Sequence, residues 1–190
     1  MHTLKILLSD NDLENFKNSY AASFSERSKI AKREFQLDEL RSQVFVYGLF
    51  NKDKMIAGFI LNFNPNRCLS TVNENTRNEV IEKLGKNNVC ELIGIWKNRN
   101  EKSILTTITM WTHILTKTLG LGKPFIFGCN RSPKVGSEYY YQSEYQVVPN
   151  CDSELVVFYY TRKQFLMTFL SSLFNFLNKK RVNPNIKEAV

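Results

Sequence analysis

Two kinds of strand-like segment occur in this chain, and together they restrict the fold to a mixed α/β sheet. Residues 44–50 (VFVYGLF) and 55–63 (MIAGFILNF) are joined by a short polar turn, which predicts an antiparallel hairpin. Residues 89–96 (VCELIGIW) and 124–129 (PFIFGC) are separated by a long helical segment, 103–119, which predicts a strand–helix–strand crossover. A domain that contains both must combine antiparallel and parallel pairing in one sheet.

The remaining segments place helices and strands around these four strands. Residues 12–22 predict a helix because Leu13, Phe16 and Tyr20 recur at spacings of three and four. In the helix 103–119, the predicted buried stripe consists of Ile104, Ile108, Trp111, Leu115 and Leu119. Further strands are predicted at 3–8, 145–148 and 154–161, and further helices at 28–40, 76–84, 134–142 and 162–180.

The size and composition of the chain favour one globular domain with an appendage. A chain of 190 residues, 43% apolar and 13% aromatic, is long enough to bury a core and too apolar to be disordered. We expect residues 1–161 to form the domain and residues 162–190 to form an amphipathic helix followed by a polar tail.

The net charge indicates an acidic partner. There are 26 Lys and Arg residues against 18 Asp and Glu residues, which gives a formal charge of +8. Nucleic acid, anionic lipid, a phosphorylated co-substrate and an acidic carrier protein all match this charge. Nucleic acid is disfavoured, because the sequence carries no helix-turn-helix, RRM or zinc signature and its basic residues are scattered.

The cysteines predict reduced thiols and no metal site. Cys68, Cys90, Cys129 and Cys151 are widely spaced, with no close pair and no neighbouring histidine of the kind that zinc requires. The first residues reach acidic side chains too early for a signal peptide. We therefore expect a cytoplasmic protein.

One segment near the C-terminus could attach the chain to a membrane surface. Residues 164–178 (QFLMTFLSSLFNFLN) are largely apolar and are bracketed by Arg and Lys residues, but they are too few to span a bilayer. The helix over 162–181 therefore packs on the core, forms a homodimer contact, or lies on a membrane surface.

The order and character of these segments resemble the GNAT superfamily of N-acetyltransferases. The resemblance rests on the 45–63 hairpin, the strand–loop–helix VCELIGIWKNRNEKSILTTITMW, the strand PFIFGC and the segment EYYYQSEYQVV. It implies a GNAT-like acyltransferase domain that binds a thioester donor between two parallel strands. The donor would be acyl-CoA or, as in the branch of autoinducer synthases and N-acyl amino acid synthases, an acyl carrier protein, and the acceptor a small amine.

The segment that follows the strand 89–96 is the expected donor site. A loop that opens a helix presents backbone N–H groups and the positive end of the helix dipole to a phosphate. Here the loop adds basic side chains, and Ser103 is placed to cap the helix; however, the glycines that the family uses there are absent between Trp96 and Gly120. The candidate donor-binding residues are Ile95, Trp96, Lys97, Asn98, Arg99, Asn100, Glu101, Lys102, Ser103, Cys129 and Asn130.

Two residues are candidates for the chemistry. Glu91 is the carboxylate of an otherwise apolar strand, and apolar neighbours would raise its pKa towards that of a general base. The resemblance implies that Tyr140 protonates the departing sulfur. The alternatives are a Glu91 on an exposed strand face, tyrosines that only pack, and a non-catalytic GNAT-fold module that binds an acidic partner or a membrane surface.

Overall fold

The computed structural model describes residues 2–23, 35–63, 74–130, 145–147 and 156–182. The strands within these ranges are β1 (His2–Ile6), β2 (Phe45–Asn51), β3 (Lys54–Asn62), β4 (Val89–Lys97), β5 (Phe125–Asn130), β6 (Tyr145–Val147) and β7 (Val156–Thr161). The α-helices are α1 (Asp10–Ser23), α2 (Leu37–Arg41), α3 (Glu74–Leu84), α4 (Ile104–Gly120) and α5 (Arg162–Val182).

The seven strands form one sheet in the order β1-β2-β3-β4-β5-β7-β6. Neighbouring strands are antiparallel except β4 and β5, which are parallel. The predicted mixed sheet, the β2–β3 hairpin and the β4–α4–β5 crossover are therefore confirmed. Of the predicted helix 28–40 only the end is described, as α2, and the predicted helix 134–142 lies outside the described residues.

Helices cover both faces of the sheet, and each face has its own core. On one face α1, α2 and α3 contribute Leu13, Phe16, Leu40 and Leu84, which pack against strand residues such as Ile93. On the other face α4 contributes Met110 and Ile114, and Phe165 of α5 packs against the same cluster. Alternate residues of β4 point to opposite faces, so this central strand contributes to both cores.

The predicted stripe of α4 is wrong. The buried residues of the helix are Thr106, Met110, Ile114 and Thr118, whereas Ile104 is exposed. This face lies roughly a third of a turn from the predicted stripe, at about 100° per residue. Because the helix is apolar on more than one side, periodicity alone could not select the side that faces the sheet.

A capping box starts α5 directly after β7. The Gln164 amide donates to Thr161 Oγ1 at 3.2 Å, and the Thr161 amide donates to Gln164 Oε1 at 2.9 Å. Arg162 Nη2 also donates to the carbonyl of Leu119 at the end of α4, at 2.9 Å. Among the described residues no helix is both long enough and apolar enough to cross a bilayer.

Candidate functional site

A β-bulge distorts β4 in the middle of the sheet. Gly58 pairs with Trp96 and Ile60 pairs with Ile93, so one residue of β3 lies opposite two residues of β4. Gly94, in this bulge, has φ +59°. A Cβ atom there would lie 2.9 Å from Phe35 Cζ and 3.1 Å from Ile60 Cδ1. Glycine is therefore required both by the left-handed backbone and by the close packing.

The strands β4 and β5 part just before the bulge. Their parallel pairing consists of three residue pairs, Val89–Phe125, Cys90–Ile126 and Glu91–Phe127. Beyond Glu91, β4 continues to Lys97 and β5 continues to Asn130 without pairing to each other. Within the part of the chain that the structure describes, no strand lies between these facing edges, so an extended ligand could bind there as an additional strand would.

Glu91 lies at the fork where the two strands part. Its side chain is fully buried, with 0% exposure, which excludes the alternative of a glutamate on a solvent-facing strand surface. Alternation along β4 puts it on the same face as Val89 and Ile93, beneath the helices α1 to α3. A fully buried carboxyl group is rare in proteins, which makes Glu91 a candidate functional residue.

A row of side chains crosses the sheet at the level of Glu91. The register places Asn62 of β3 opposite Glu91, Glu91 opposite Phe127, and Phe127 opposite Tyr159 of β7. Tyr159 stacks on Phe127 with ring centroids 5.4 Å apart. Asn62 is 6% exposed. Facing residues of paired strands have Cβ atoms about 5 Å apart, so Asn62 and Glu91 are near neighbours.

Asn62 is oriented by a hydrogen-bonded chain that begins at a backbone carbonyl. Gln43 Nε2 donates to the carbonyl oxygen of Glu39 at 2.8 Å, and Asn62 Nδ2 donates to Gln43 Oε1 at 2.6 Å. A carbonyl can only accept, so Gln43 must turn its amide nitrogen to Glu39 and its oxygen to Asn62. The Oδ1 atom of Asn62 is then on the side away from Gln43. Sequence reasoning missed Asn62, although it is the polar residue of an apolar strand, as Glu91 is.

The loop between β4 and α4 uses its own side chains to satisfy its amides. The Asn98 amide donates to the Ile56 carbonyl at 2.8 Å, which anchors the loop to β3. The Glu101 amide donates to the Asn98 carbonyl at 3.1 Å, and the Asn100 amide donates to Asn98 Oδ1 at 2.9 Å. The predicted row of unpaired amides is therefore wrong for these residues. The loop is closed by hydrogen bonds to the side chain and the carbonyl of Asn98.

A carboxylate of the chain itself lies at the N-terminus of α4. Glu101 Oε1 accepts from the Ser103 amide at 3.2 Å and from Thr106 Oγ1 at 3.1 Å. Ser103 caps the helix as predicted, because its Oγ accepts from the Thr106 amide at 3.5 Å. An anion is favoured at this end of a helix, and here the protein provides that anion.

Two of the three basic side chains of this loop bind other parts of the protein. Lys97 Nζ donates to Thr107 Oγ1 at 2.9 Å, and Arg99 Nε donates to the Ser23 carbonyl at the end of α1, at 2.7 Å. Lys102 is exposed. These two hydrogen bonds attach the loop to α1 and α4, so the conformation of the loop is fixed by its contacts with these helices.

The other predicted donor-binding residues lie on the two strands that part. Ile95 packs on the α4 side of the sheet, and Trp96 on the α1 side, edge-on to Phe16 with centroids 5.9 Å apart. The Trp96 Nε1 atom is buried and has no hydrogen-bond partner among the described residues. Cys129 and Asn130 end β5, and their side chains are outside the described part of the chain. Tyr140 also lies outside it.

Cys90 is a thiol beside the candidate site. It is the neighbour of Glu91 in β4 but faces the opposite core, where it is fully buried. Burial in apolar surroundings raises the pKa of the Cys90 thiol to about 12. The thiol therefore stays protonated at neutral pH and is a poor nucleophile.

Solved structures share this fold. The structure matches FeeM, an N-acyl amino acid synthase from uncultured soil microbes, with a TM-score of 0.68 at 11% identity over 92% of this chain and 98% of that one. It matches the AHL synthase LasI with a TM-score of 0.52 at 13% identity, over 84% of this chain and 89% of LasI. It matches the GNAT-like decarboxylase GphF in complex with isobutyryl-CoA with a TM-score of 0.53 at 10% identity, over 84% and 99%.

Sequence comparison adds nothing to these matches, since no protein-family model and no curated protein matches the chain. The structural likenesses, at 10% to 13% identity, establish the fold. The chain thus has the GNAT fold, in a divergent form similar to the N-acyl amino acid synthase and AHL synthase structures.

Proposed function

We propose that this protein is an N-acyltransferase that moves an acyl group from a thioester donor to an amine. The observation that carries the proposal is the buried Glu91 at the fork between β4 and β5. The parted strands offer main-chain groups to the pantetheine arm of a donor. The carboxylate at the fork offers a base at the point where the thioester would end. FeeM, which is similar in fold, is an N-acyl amino acid synthase by name, and LasI is an AHL synthase by name.

The transfer needs one base and one acid. The amine nitrogen attacks the thioester carbonyl carbon, a C–N bond forms, and the C–S bond breaks. Glu91 takes the proton that the amine loses. We assign the proton that the sulfur gains to Tyr140, and the Tyr140→Phe variant is expected to lose turnover while it keeps donor binding. If Tyr159→Phe has this effect and Tyr140→Phe does not, the acid is Tyr159.

The loop at the end of β4 favours a carrier protein over free CoA as the donor. A CoA pyrophosphate would meet the Glu101 carboxylate at the helix N-terminus and amides that are already bonded. An acyl chain on a carrier protein arrives on a single phosphodiester, and the rest of the contact is protein surface. Carrier proteins are acidic, and the net charge of +8 suits such a partner.

A thermal-shift series with acetyl-CoA, long-chain acyl-CoA and an acylated carrier protein tests the proposed donors. We expect the largest rise in melting temperature with the acylated carrier protein, and a rise that grows with acyl length. Apo carrier protein, which lacks the pantetheine arm, is the matched control. Equal shifts with apo and acylated carrier protein would contradict binding of the thioester between the strands, and the absence of a shift with every donor would contradict an acyltransferase.

A further inference from the structure

The outward face of α5 carries three large apolar side chains. Met167 is 50% exposed, Leu170 is 46% exposed and Phe174 is 64% exposed. At about 100° per residue these three positions lie within an arc of about 60° on the helix. Lys163, also exposed, lies on the same arc. The opposite side of the helix packs on the core through Phe165. The helix therefore presents a continuous apolar stripe, Met167–Leu170–Phe174, to its surroundings.

The charge of α5 indicates what covers this stripe. The helix contains Arg162, Lys163, Lys179, Lys180 and Arg181 and no acidic residue. A second copy of the chain docked through the same helix would bring two strongly basic segments together, which is unfavourable at ordinary ionic strength. An anionic surface would gain from the same charges.

The start of α5 is remote from the loop that follows β4. The helix begins after Thr161, which pairs with Phe125, and Phe125 also pairs with Val89 at the start of β4. The loop 98–103 follows the other end of β4. The basic start of α5 therefore lies at the opposite end of the sheet from the proposed donor loop. Nucleic acid would leave the three apolar side chains against phosphates, whereas an anionic bilayer offers both negative headgroups and an apolar layer.

We propose that α5 docks this protein on an anionic membrane surface. The helix lies in the plane of the interface, with Met167, Leu170 and Phe174 inserted below the headgroups and the Lys163 side chain among the anionic headgroups. This inference is independent of the acyl transfer, because it rests on the outward face of α5 and not on the fork between β4 and β5.

The test is co-sedimentation of the full chain with vesicles of phosphatidylcholine alone or with about one-third phosphatidylglycerol. We expect the wild-type protein to pellet with the anionic vesicles at about 0.1 M salt and to be released at about 0.5 M salt. The triple variant Met167→Ser, Leu170→Ser, Phe174→Ser should bind at least about tenfold more weakly. Lys163→Glu should weaken binding while it leaves the apolar stripe intact.

Leu8→Ser is the matched control, since Leu8 is 84% exposed and lies on the turn after β1. It should bind vesicles as the wild type does, and all variants should melt at similar temperatures. Equal binding by the triple variant, or no pelleting of the wild type with anionic vesicles, would overturn the proposal. A wild-type dimer that the triple variant converts to a monomer would assign the stripe to self-association instead. Loss of turnover in the triple variant with a carrier-protein donor alone, without vesicle binding by the wild type, would assign it to the carrier protein.

Discussion

At the scale of single residues, Asn62 of β3 lies directly opposite Glu91 of β4 and is the polar side chain nearest to it in the sheet register. Its position opposite Glu91 and its hydrogen bond to Gln43 give its Oδ1 atom a defined direction. We infer that Asn62 orients the acceptor amine, which donates a hydrogen bond to Asn62 Oδ1 while Glu91 acts as the base.

Asn62→Leu should therefore lower kcat/KM by about tenfold, the value of one buried hydrogen bond. Gln43→Leu is the control, because it removes the same 2.6 Å hydrogen bond but leaves the Asn62 side chain in place. The two variants should lose similar amounts of unfolding free energy in urea, and Gln43→Leu should lose less activity. An unchanged kcat/KM in Asn62→Leu would contradict the role assigned to Asn62.

We infer that Glu101 makes the protein prefer a carrier-protein donor to free CoA. Its carboxylate already binds the Ser103 amide at the N-terminus of α4, where the CoA pyrophosphate would otherwise bind. Glu101→Ala should free the Ser103 amide and remove a negative charge, so the affinity for free CoA should rise by about tenfold. Calorimetric titration with CoA measures this rise. Glu82→Ala changes the net charge equally on the exposed side of α3 and is the control. If both variants gain the same affinity, the effect is one of net charge and the assignment of Glu101 is wrong.

Cys90 gives a residue-scale check on the core between the sheet and α4. Its pKa of about 12 in the folded protein lies well above that of an exposed thiol, so the thiolate is scarce at pH 8. Alkylation of Cys90 by iodoacetamide, followed by peptide mass spectrometry, should be at least about a hundredfold slower than in urea. Rapid alkylation in the folded state would mean that this core opens.

At the scale of elements, the bulge in β4 directly follows the last β4–β5 pair, and we infer that it directs β4 away from β5. Gly94→Ala adds a Cβ to a left-handed residue and places it against Phe35 and Ile60. We expect a loss of about 2 kcal/mol or more in unfolding free energy, together with weaker donor binding. Urea denaturation measures the first effect, and the thermal shift with donor measures the second.

Gly120→Ala is the control for this experiment. Gly120 ends α4, and a Cβ there would meet nothing within 4 Å. The substitution should leave stability unchanged or raise it by up to about 1 kcal/mol. A Gly94→Ala protein as stable as Gly120→Ala would contradict the role assigned to the bulge.

The elements could be predicted from the sequence where local pattern and packing agree. The hairpin, α1 and the crossover have clear periodicity, and their predicted bounds differ from those observed by a few residues. The buried face of α4 could not be predicted, because Ile, Leu, Met and Trp occur on several sides and the choice depends on which side fits the sheet. The bulge at Gly94 could not be predicted either, since it depends on the register with β3.

At the scale of the whole molecule, the site is assembled from distant parts of the chain. Glu91 could be selected from sequence because it interrupts an apolar strand. Its pairing with Asn62, its burial beneath α1 to α3 and the contact of Arg99 with the end of α1 depend on tertiary structure. The hydrogen bonds of Glu101 to the Ser103 amide and to Thr106 could not be predicted either, because a charged residue in a loop shows no sequence pattern that indicates its partners.

At this scale the structure also shows where some of the basic residues behind the net charge of +8 lie. Although the basic residues are scattered along the chain, two groups of them stand out: Lys97 and Arg99 at the end of β4, which hold the loop, and those of the helix α5. The loop after β4 and the start of α5 lie at opposite ends of the sheet. A basic chain of this kind could therefore bring an acidic donor and an anionic surface to different sides of one domain.

The central claim is that Glu91 at the fork between β4 and β5 promotes acyl transfer to an amine. The most direct measurement is amine-dependent release of free thiol from an acylated carrier protein, compared between the wild type, Glu91→Gln and the exposed control Glu82→Gln. We predict that the wild type and Glu82→Gln release thiol only when an amine is present, and that Glu91→Gln is about a hundredfold slower with unchanged donor affinity. Equal rates of amine-dependent release in the wild type and Glu91→Gln would contradict the claim.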